Sequence, residues 1–180
     1  MVDYNAIIDK YYPADSPLRD IYLRHCSQVA ELALEIASRK NLPLTDQEIS
    51  QAAMLHDIGI FLTDAKGIHF QGTEPYIRHG ILGAELLRLE NADEKYARVA
   101  ERHTGSGLTA SEIEGQHLPL PHRDFVPETM LERLICYADK FFSKSGDMQR
   151  KPLDKVIKSM ERFGDESLRR FLELHREFGI

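Results

Sequence analysis

The chain has 180 residues, 42% of them hydrophobic and 29% charged, and a formal net charge of −6. That length fits one domain with a buried core, and the composition excludes disordered, collagen-like and disulfide-scaffold classes. The negative balance argues against broad nucleic-acid binding, which works by neutralising phosphates.

Helical periodicity dominates the chain. The spacing predicts a short helix over residues 3–11, stopping before Pro13. Pro17 opens a second helix over residues 17–39, with Ile21, Val29, Leu32, Ala33 and Ile36 as its apolar stripe. Thr45 and Glu48 have capping-box spacing and begin a third helix, which Gly59 is expected to end. Residues 60–76 contain Gly67, Gly72 and Pro75 and read as a long lid or binding loop. Helices follow over residues 77–90 and 93–103. Gly105 and Gly107 then break the pattern, Thr109 and Glu112 mark one brief turn, and residues 117–127 form a second long loop. A sixth helix over residues 127–144 and two amphipathic segments, 153–163 and 166–178, complete the chain. Strand signals are nearly absent.

The predicted architecture is therefore all-α, a bundle of about six to eight helices with two loops that roof a site. The expected unit is a single domain over residues 1–180, with its core over residues 20–145 and appended helices over residues 150–178. Those last helices either dock on the domain or form a homodimer contact. Cys26 and Cys136 form no CxxC pair and read as small buried hydrophobes. No apolar run approaches the roughly 20 residues of a membrane span. The opening Met1-Val2-Asp3-Tyr4 lacks the pattern of a secretory signal, so a cytoplasmic location with no membrane partner is expected.

Several apolar stripes carry a titratable residue. His25 lies between Ile21 and Val29, His56 three after Ala53, and His103 four after Val99. His79 heads the stripe of Leu82 and Leu86, and Asp139 lies four after Ile135. One such histidine is ordinarily a satisfied core residue. Four histidines with Asp57 and Asp139 point instead to a shared partner, because a buried carboxylate needs one. Imidazole and carboxylate suit one or two divalent transition-metal ions: Fe, Mn, Zn, Co or Ni. Adjacent side chains such as His56 and Asp57 can reach one ion only near a helix end, where Asp57 can also bridge two ions. Such a pair of ions supports phosphoryl transfer by a metal-bound hydroxide. HExxH, GxSxG and GxxxxGK[ST] are absent.

These residues resemble the HD superfamily of metal-dependent phosphohydrolases, in its HDIG type. The strings are Leu55-His56-Asp57-Ile58-Gly59, Arg78-His79-Gly80-Ile81-Leu82-Gly83, Glu101-Arg102-His103-Thr104-Gly105 and Tyr137-Ala138-Asp139-Lys140, preceded by His25. Their order is similar to that in HD-type diadenosine tetraphosphate hydrolases and in small stand-alone HD proteins. The resemblance implies that His25, His56, Asp57 and Asp139 hold one metal, and that His79 and His103, with Asp57 bridging, hold a second. It also implies hydrolysis of a phosphate ester or anhydride, with a nucleotide as the expected substrate. Some HD-fold proteins instead use such a set as a di-iron oxygenase, and a catalytically inactive nucleotide-binding module is a third reading.

Two departures from the resembling families stand out. Ile60 occupies the position of a lysine in cyclic-di-GMP phosphodiesterases, and Lys140-Phe141-Phe142-Ser143-Lys144 replaces the acidic tail of the dinucleotide hydrolases. Lys140, Lys144 and Arg123 are candidates to hold phosphate oxygens, at the start of a basic stretch that runs to Arg162. His69 and His122, in the loops, are candidates to protonate a leaving group. Arg78 and Arg102 are read as braces.

Overall fold

The computed structural model describes residues 3–65 and 70–180. Helix α1 (Tyr4–Tyr11) is capped by Asp3, whose carboxylate accepts from the Asn5 and Ala6 amides. Helix α2 (Pro17–Lys40) starts with Ser16 accepting from the Arg19 amide and ends at Asn41 in the left-handed conformation, φ 51°. Helix α3 (Asp46–Leu55) has the predicted Thr45–Glu48 capping box. Then come α4 (His79–Leu89), α5 (Glu94–Arg102) and the six-residue α6 (Ala110–Gly115). Helices α7 (Met130–Asp139), α8 (Leu153–Glu161) and α9 (Asp165–Phe178) complete the chain.

The fold is all-α, as the periodicity predicts. Within the long first loop a small antiparallel pair occurs, β1 (Asp64–Ala65) against β2 (Phe70–Gln71), with Asp64 opposite Gln71. Two helix ends differ from expectation. Helix α3 stops at Leu55, four residues before Gly59, and a 3₁₀ turn covers Ile58–Leu62. Helix α7 stops at Asp139, five residues before Lys144. In both places the apolar pattern runs on past the helix, because a tight turn can bury the same side chains.

Helices α2, α3, α5 and α7 pack on one another around a continuous apolar core, while α4 packs on α5 and on the 3₁₀ turn. Cys26 and Cys136 are both free and buried. The break after α3 is held by two tyrosines stacked at 4.3 Å. Tyr22 donates to the Met54 carbonyl, and Tyr12 donates to the Ile58 carbonyl at 3.1 Å. Carbonyls in the last turn of a helix have no partner within it, so Tyr22 satisfies a buried group that the break leaves open, while Tyr12 ties α1 to the start of the 3₁₀ turn.

The C-terminal helices dock on the domain. Arg170 of α9 donates to the Ser106 carbonyl at 3.3 Å and the Gly107 carbonyl at 3.0 Å, and pairs with Glu112 at 2.8 Å. Ser106 donates to the Ser167 carbonyl at 2.7 Å, and Tyr137 shares a hydrogen bond with His175 at 2.8 Å. Among the described residues no helix is long and apolar enough to cross a membrane.

Gly59 lets the 3₁₀ turn lie directly on α4. A Cβ there would sit 2.3 Å from the His79 carbonyl oxygen and 2.4 Å from the Gly83 nitrogen, both backbone atoms. Gly59→Ala is therefore expected to destabilise the fold by about 3 kcal/mol in urea denaturation. Gly115→Ala, where a Cβ meets nothing within 4 Å, is expected to stay within about 0.5 kcal/mol of the parent.

Candidate metal centre

The six sequence-predicted ligands come from five segments, and five of the six lie at helix ends. His25 projects from the middle of α2. His56 and Asp57 follow α3, His79 opens α4, His103 follows α5 and Asp139 closes α7. Asp57 has φ −105° and ψ 12°, outside the helical region, which turns its side chain toward the same point as that of His56. All six are buried, Asp139 being the most exposed at 8%.

Asp57 is the centre of the cluster. Its Oδ2 lies 3.1 Å from His25 Nε2 and 3.2 Å from His56 Nε2. Its Oδ1 lies 3.2 Å from His103 Nε2 and 3.5 Å from His79 Nε2. Asp139 Oδ1 adds contacts of 3.0 Å to His25 and 3.5 Å to His56. Two ligand groups result, His25–His56–Asp57–Asp139 and Asp57–His79–His103, and Asp57 belongs to both.

Three imidazoles are fixed from behind in the same way. Nδ1 of His56, His79 and His103 contacts the carbonyls of Ala53 at 2.6 Å, Tyr76 at 2.7 Å and Ala100 at 2.7 Å. A carbonyl only accepts, so the Nδ1 atoms carry the protons, and Nε2 of a neutral ring presents a lone pair. Burial lowers the His79 pKa to about 3, with His103 adding to the effect, and burial also lowers that of His103. Both rings are then neutral, yet their Nε2 atoms stand 3.0 Å apart. Two bare lone pairs at that distance repel unless a cation lies beside them.

Other buried atoms point the same way. Nδ1 of His25 has no hydrogen-bond partner among the described residues, while Nε2 of His25, Nε2 of His56 and the oxygens of Asp57 meet only one another, their neighbours in the cluster and the Lys144 ammonium. Unpaired buried groups of this kind are costly, and a metal ion would satisfy the inward-facing ones together. Spacings of 3.0–3.5 Å between ligand atoms also match donors held roughly 2.1 Å from one ion. The donor set, imidazole and carboxylate with no thiolate, suits a divalent transition metal. The residues present thus fit a bound metal ion.

Two lysines contribute charge. Lys144 Nζ lies 2.7 Å from Asp57 Oδ2, and Lys140 Nζ lies 2.7 Å from Asp139 Oδ2 while donating to the His103 carbonyl at 2.8 Å. Burial works against ionising Asp57, but Lys144 and His56 outweigh it and hold the carboxyl well below the usual range. Lys140 and His25 do the same for Asp139. Burial likewise opposes a proton on His56, yet Asp57 raises its pKa well above the ordinary value. A cavity of about 350 Å³ opens onto the cluster, lined by His79, His103, Asp139, Lys140 and Lys144 on one side. A larger cleft of about 860 Å³, between α1, α3 and α5, contains none of the six and has no bearing on this chemistry.

The other sequence-predicted candidates are placed differently. Arg123 is not among the residues lining the cavity; it pairs with Glu101 at 3.1 Å and lies over the Phe125 ring at 4.1 Å. A basic residue in a polar loop gave no sign of the acidic and aromatic side chains that would hold it. His69 lies outside the described residues. His122 is exposed, 3.3 Å from Glu114. Arg78 donates to the Pro119 carbonyl at 3.1 Å and Arg102 to the Val126 carbonyl at 3.0 Å, so both brace the second loop. Sequence reasoning missed Tyr76, which stacks on His79 at 4.7 Å and supplies the carbonyl that orients it. Its position three residues before His79 was the available signal. Tyr12 and Tyr22 carried none, since they look like ordinary core residues.

Metal content by mass spectrometry is expected to reach about two transition-metal ions per chain after loading and to fall below about 0.2 in Asp57→Ala. His79→Ala is expected to keep about one, since His25, His56, Asp57 and Asp139 remain. His56 must lose its extra proton to coordinate a metal, so protons compete with metal as pH falls. Affinity measured by chelator competition is expected to be at least about tenfold weaker at pH 5.5 than at pH 8.

Comparison with known proteins places this geometry in context. The HD domain family profile matches residues 22–163. An uncharacterized protein of Methanocaldococcus jannaschii is 34% identical over 161 residues, covering 86% of each chain. A protein of Picrophilus torridus named tRNA (cytidine(56)-2'-O)-methyltransferase is 33% identical over 165 residues, and one of the same name from Thermoplasma volcanium is 32% identical over 158 residues. The chain spans only 41% of the length of each of these two methyltransferases, while 88% and 87% of the chain is covered. No solved structure matches the chain. The profile match takes in all six clustered residues and most of the chain, and the protein belongs to the HD domain family.

Proposed function

We propose that the protein is a metal-dependent phosphohydrolase acting on a phosphate ester or anhydride, with a nucleotide as substrate. The observation that carries this reading is Asp57, whose two oxygens face two separate histidine groups behind a cavity lined by His79, His103 and Asp139. Membership of the HD domain family supports it. The methyltransferase names belong to chains of which this one spans 41%, so the reading rests on the residues of the site.

His25, His56, Asp57 and Asp139 would hold one divalent ion, and Asp57, His79 and His103 a second. When bound, such ions lower the pKa of coordinated water toward neutrality and polarise phosphoryl oxygens. The protein's own groups then set what can bind. Two carboxylates, Asp57 and Asp139, balance two ammonium groups, Lys140 and Lys144, so any divalent ion leaves the site positive and attractive to a phosphate dianion. Lys144 lines the cavity with its ammonium against Asp57 Oδ2, and is placed to take a phosphate oxygen there. Lys140, tied to the His103 carbonyl, holds Asp139 and His103 in register. The carbonyl contacts behind His56, His79 and His103 fix the ring faces before substrate arrives, which is the preorganisation that electrostatic catalysis requires.

The test is a phosphate-ester and nucleotide screen with manganese-, iron- or cobalt-loaded protein, with and without oxygen. Phosphate release is expected to proceed equally in both atmospheres. Lys144→Met is expected to lose about 10²-fold in kcat/KM while keeping its metal, and Asp57→Asn to lose activity and metal together. Oxygen consumption without phosphate release would replace this reading with di-iron oxygenase chemistry. Tight nucleotide binding without turnover would replace it with a binding module.

A further inference from the structure

The cavity beside the cluster has two chemically different ends, and the hydrolase reading accounts for only one. The rest of its lining includes Tyr76, Leu108, Leu118 and Phe163. Tyr76 and Phe163 are 39% and 52% exposed, two of only four large hydrophobic side chains left so open among the described residues. Burying such a ring is worth a few kcal/mol, roughly 25 cal/mol per Å², so two open aromatics at one cavity mark a surface suited to an apolar, planar ligand group.

Phe163 is held there by the chain itself. It lies in the corner between α8 and α9, next to Gly164 at φ +98°, a conformation that disfavours side chains. Helix α9 is tied through Arg170 and Ser167 to Ser106 and Gly107, beside the Gly105 and Gly107 backbone that also lines the cavity. The corner is therefore braced against the site. The cavity volume, about 350 Å³, lies at the small end of the roughly 300–1,000 Å³ range of ligand sites. It has room for one nucleoside with its phosphate, so the second nucleoside of a dinucleotide would extend beyond it into solvent without a seat.

We propose that the α8–α9 corner sets the substrate class: Phe163, with Tyr76, seats a single nucleobase while Lys144 takes the phosphate, so that the site selects a nucleoside monophosphate over dinucleoside polyphosphates and small phosphate esters. The proposal rests on the hydrolase reading for its phosphate end only. Stacking on an aromatic face tolerates any base, so the four common nucleoside monophosphates should differ little.

Two measurements separate this inference from the hydrolase reading. With manganese-loaded protein, kcat/KM for the best of AMP, GMP, CMP and UMP is expected to exceed that for glycerol phosphate and for diadenosine tetraphosphate at least tenfold. Phe163→Ala is expected to cut the ratio between nucleotide and glycerol phosphate at least fivefold, with Phe163→Tyr retaining it. Because Phe163 is half exposed, its truncation leaves no hole in the core, and an unchanged melting temperature verifies this. Titration calorimetry with AMP, adenosine and inorganic phosphate gives a readout independent of turnover. AMP binding that weakens at least fivefold in Phe163→Ala would support the base seat even if no ester is hydrolysed, and in that case only the hydrolase reading fails. Equal binding or equal discrimination in the variant, or faster turnover of diadenosine tetraphosphate, would overturn the inference.

Discussion

The carboxylate of Asp57 is fully buried, touches four histidines and pairs with the Lys144 ammonium at 2.7 Å. A charge buried that deeply is costly even when paired, and most of the local structure can be understood as its accommodation. Helix α3 ends at Leu55 so that Asp57 leaves the helical conformation, and Gly59 allows the following turn to press on α4. Tyr22 satisfies a carbonyl in the last turn before that break, and Tyr12 holds the start of the turn that follows. Two lysines supply opposite charge from the segment after α7. Each device helps hold the clustered imidazoles and carboxylates at spacings that a metal ion could bridge.

Helix ends suit this work for a reason of geometry. Neighbouring side chains within a helix diverge by about 100°, so consecutive residues cannot aim at one point. At an end the backbone is free to turn, and carbonyls there remain available to orient a ring three residues on, as Ala53 and Ala100 do near the ends of α3 and α5 and Tyr76 does just before α4. The helix ends that carry His79, His103 and Asp139 line the cavity, so the site is buried at its base and accessible on that side. The C-terminal helices, packed on α7 and locked through Arg170, form part of the wall of that cavity and so belong to the site as well as to the fold.

Much of this was legible in the chain alone. Titratable residues on otherwise apolar stripes stand out because burial without a partner is so unfavourable, and His25, His56, His79, His103 and Asp139 announced themselves in that way, with Asp57 marked by its place beside His56 at a helix end. Capping boxes at Thr45 and Thr109 gave true helix starts, since the signal and the interaction are the same few atoms. Helix ends were read less well. The apolar pattern past Leu55 and past Asp139 continues through tight turns, and periodicity does not distinguish a helix from a turn that buries the same residues. Arg123 shows the complementary weakness, because its position on the fold depends on Glu101 and Phe125, neither of which marks it as paired in the sequence.

The sequence by itself determined the helical class, the identity of the clustered residues and the family they resemble, because those follow from local periodicity and from the chemistry of single side chains. Only the tertiary structure decided that the two oxygens of Asp57 face different histidine groups, that Lys144 rather than Arg123 reaches the cluster, and that Phe163 from the far end of the chain lines the cavity. These are distances between residues far apart in the chain, and they are set by how whole helices pack rather than by any pattern within one of them.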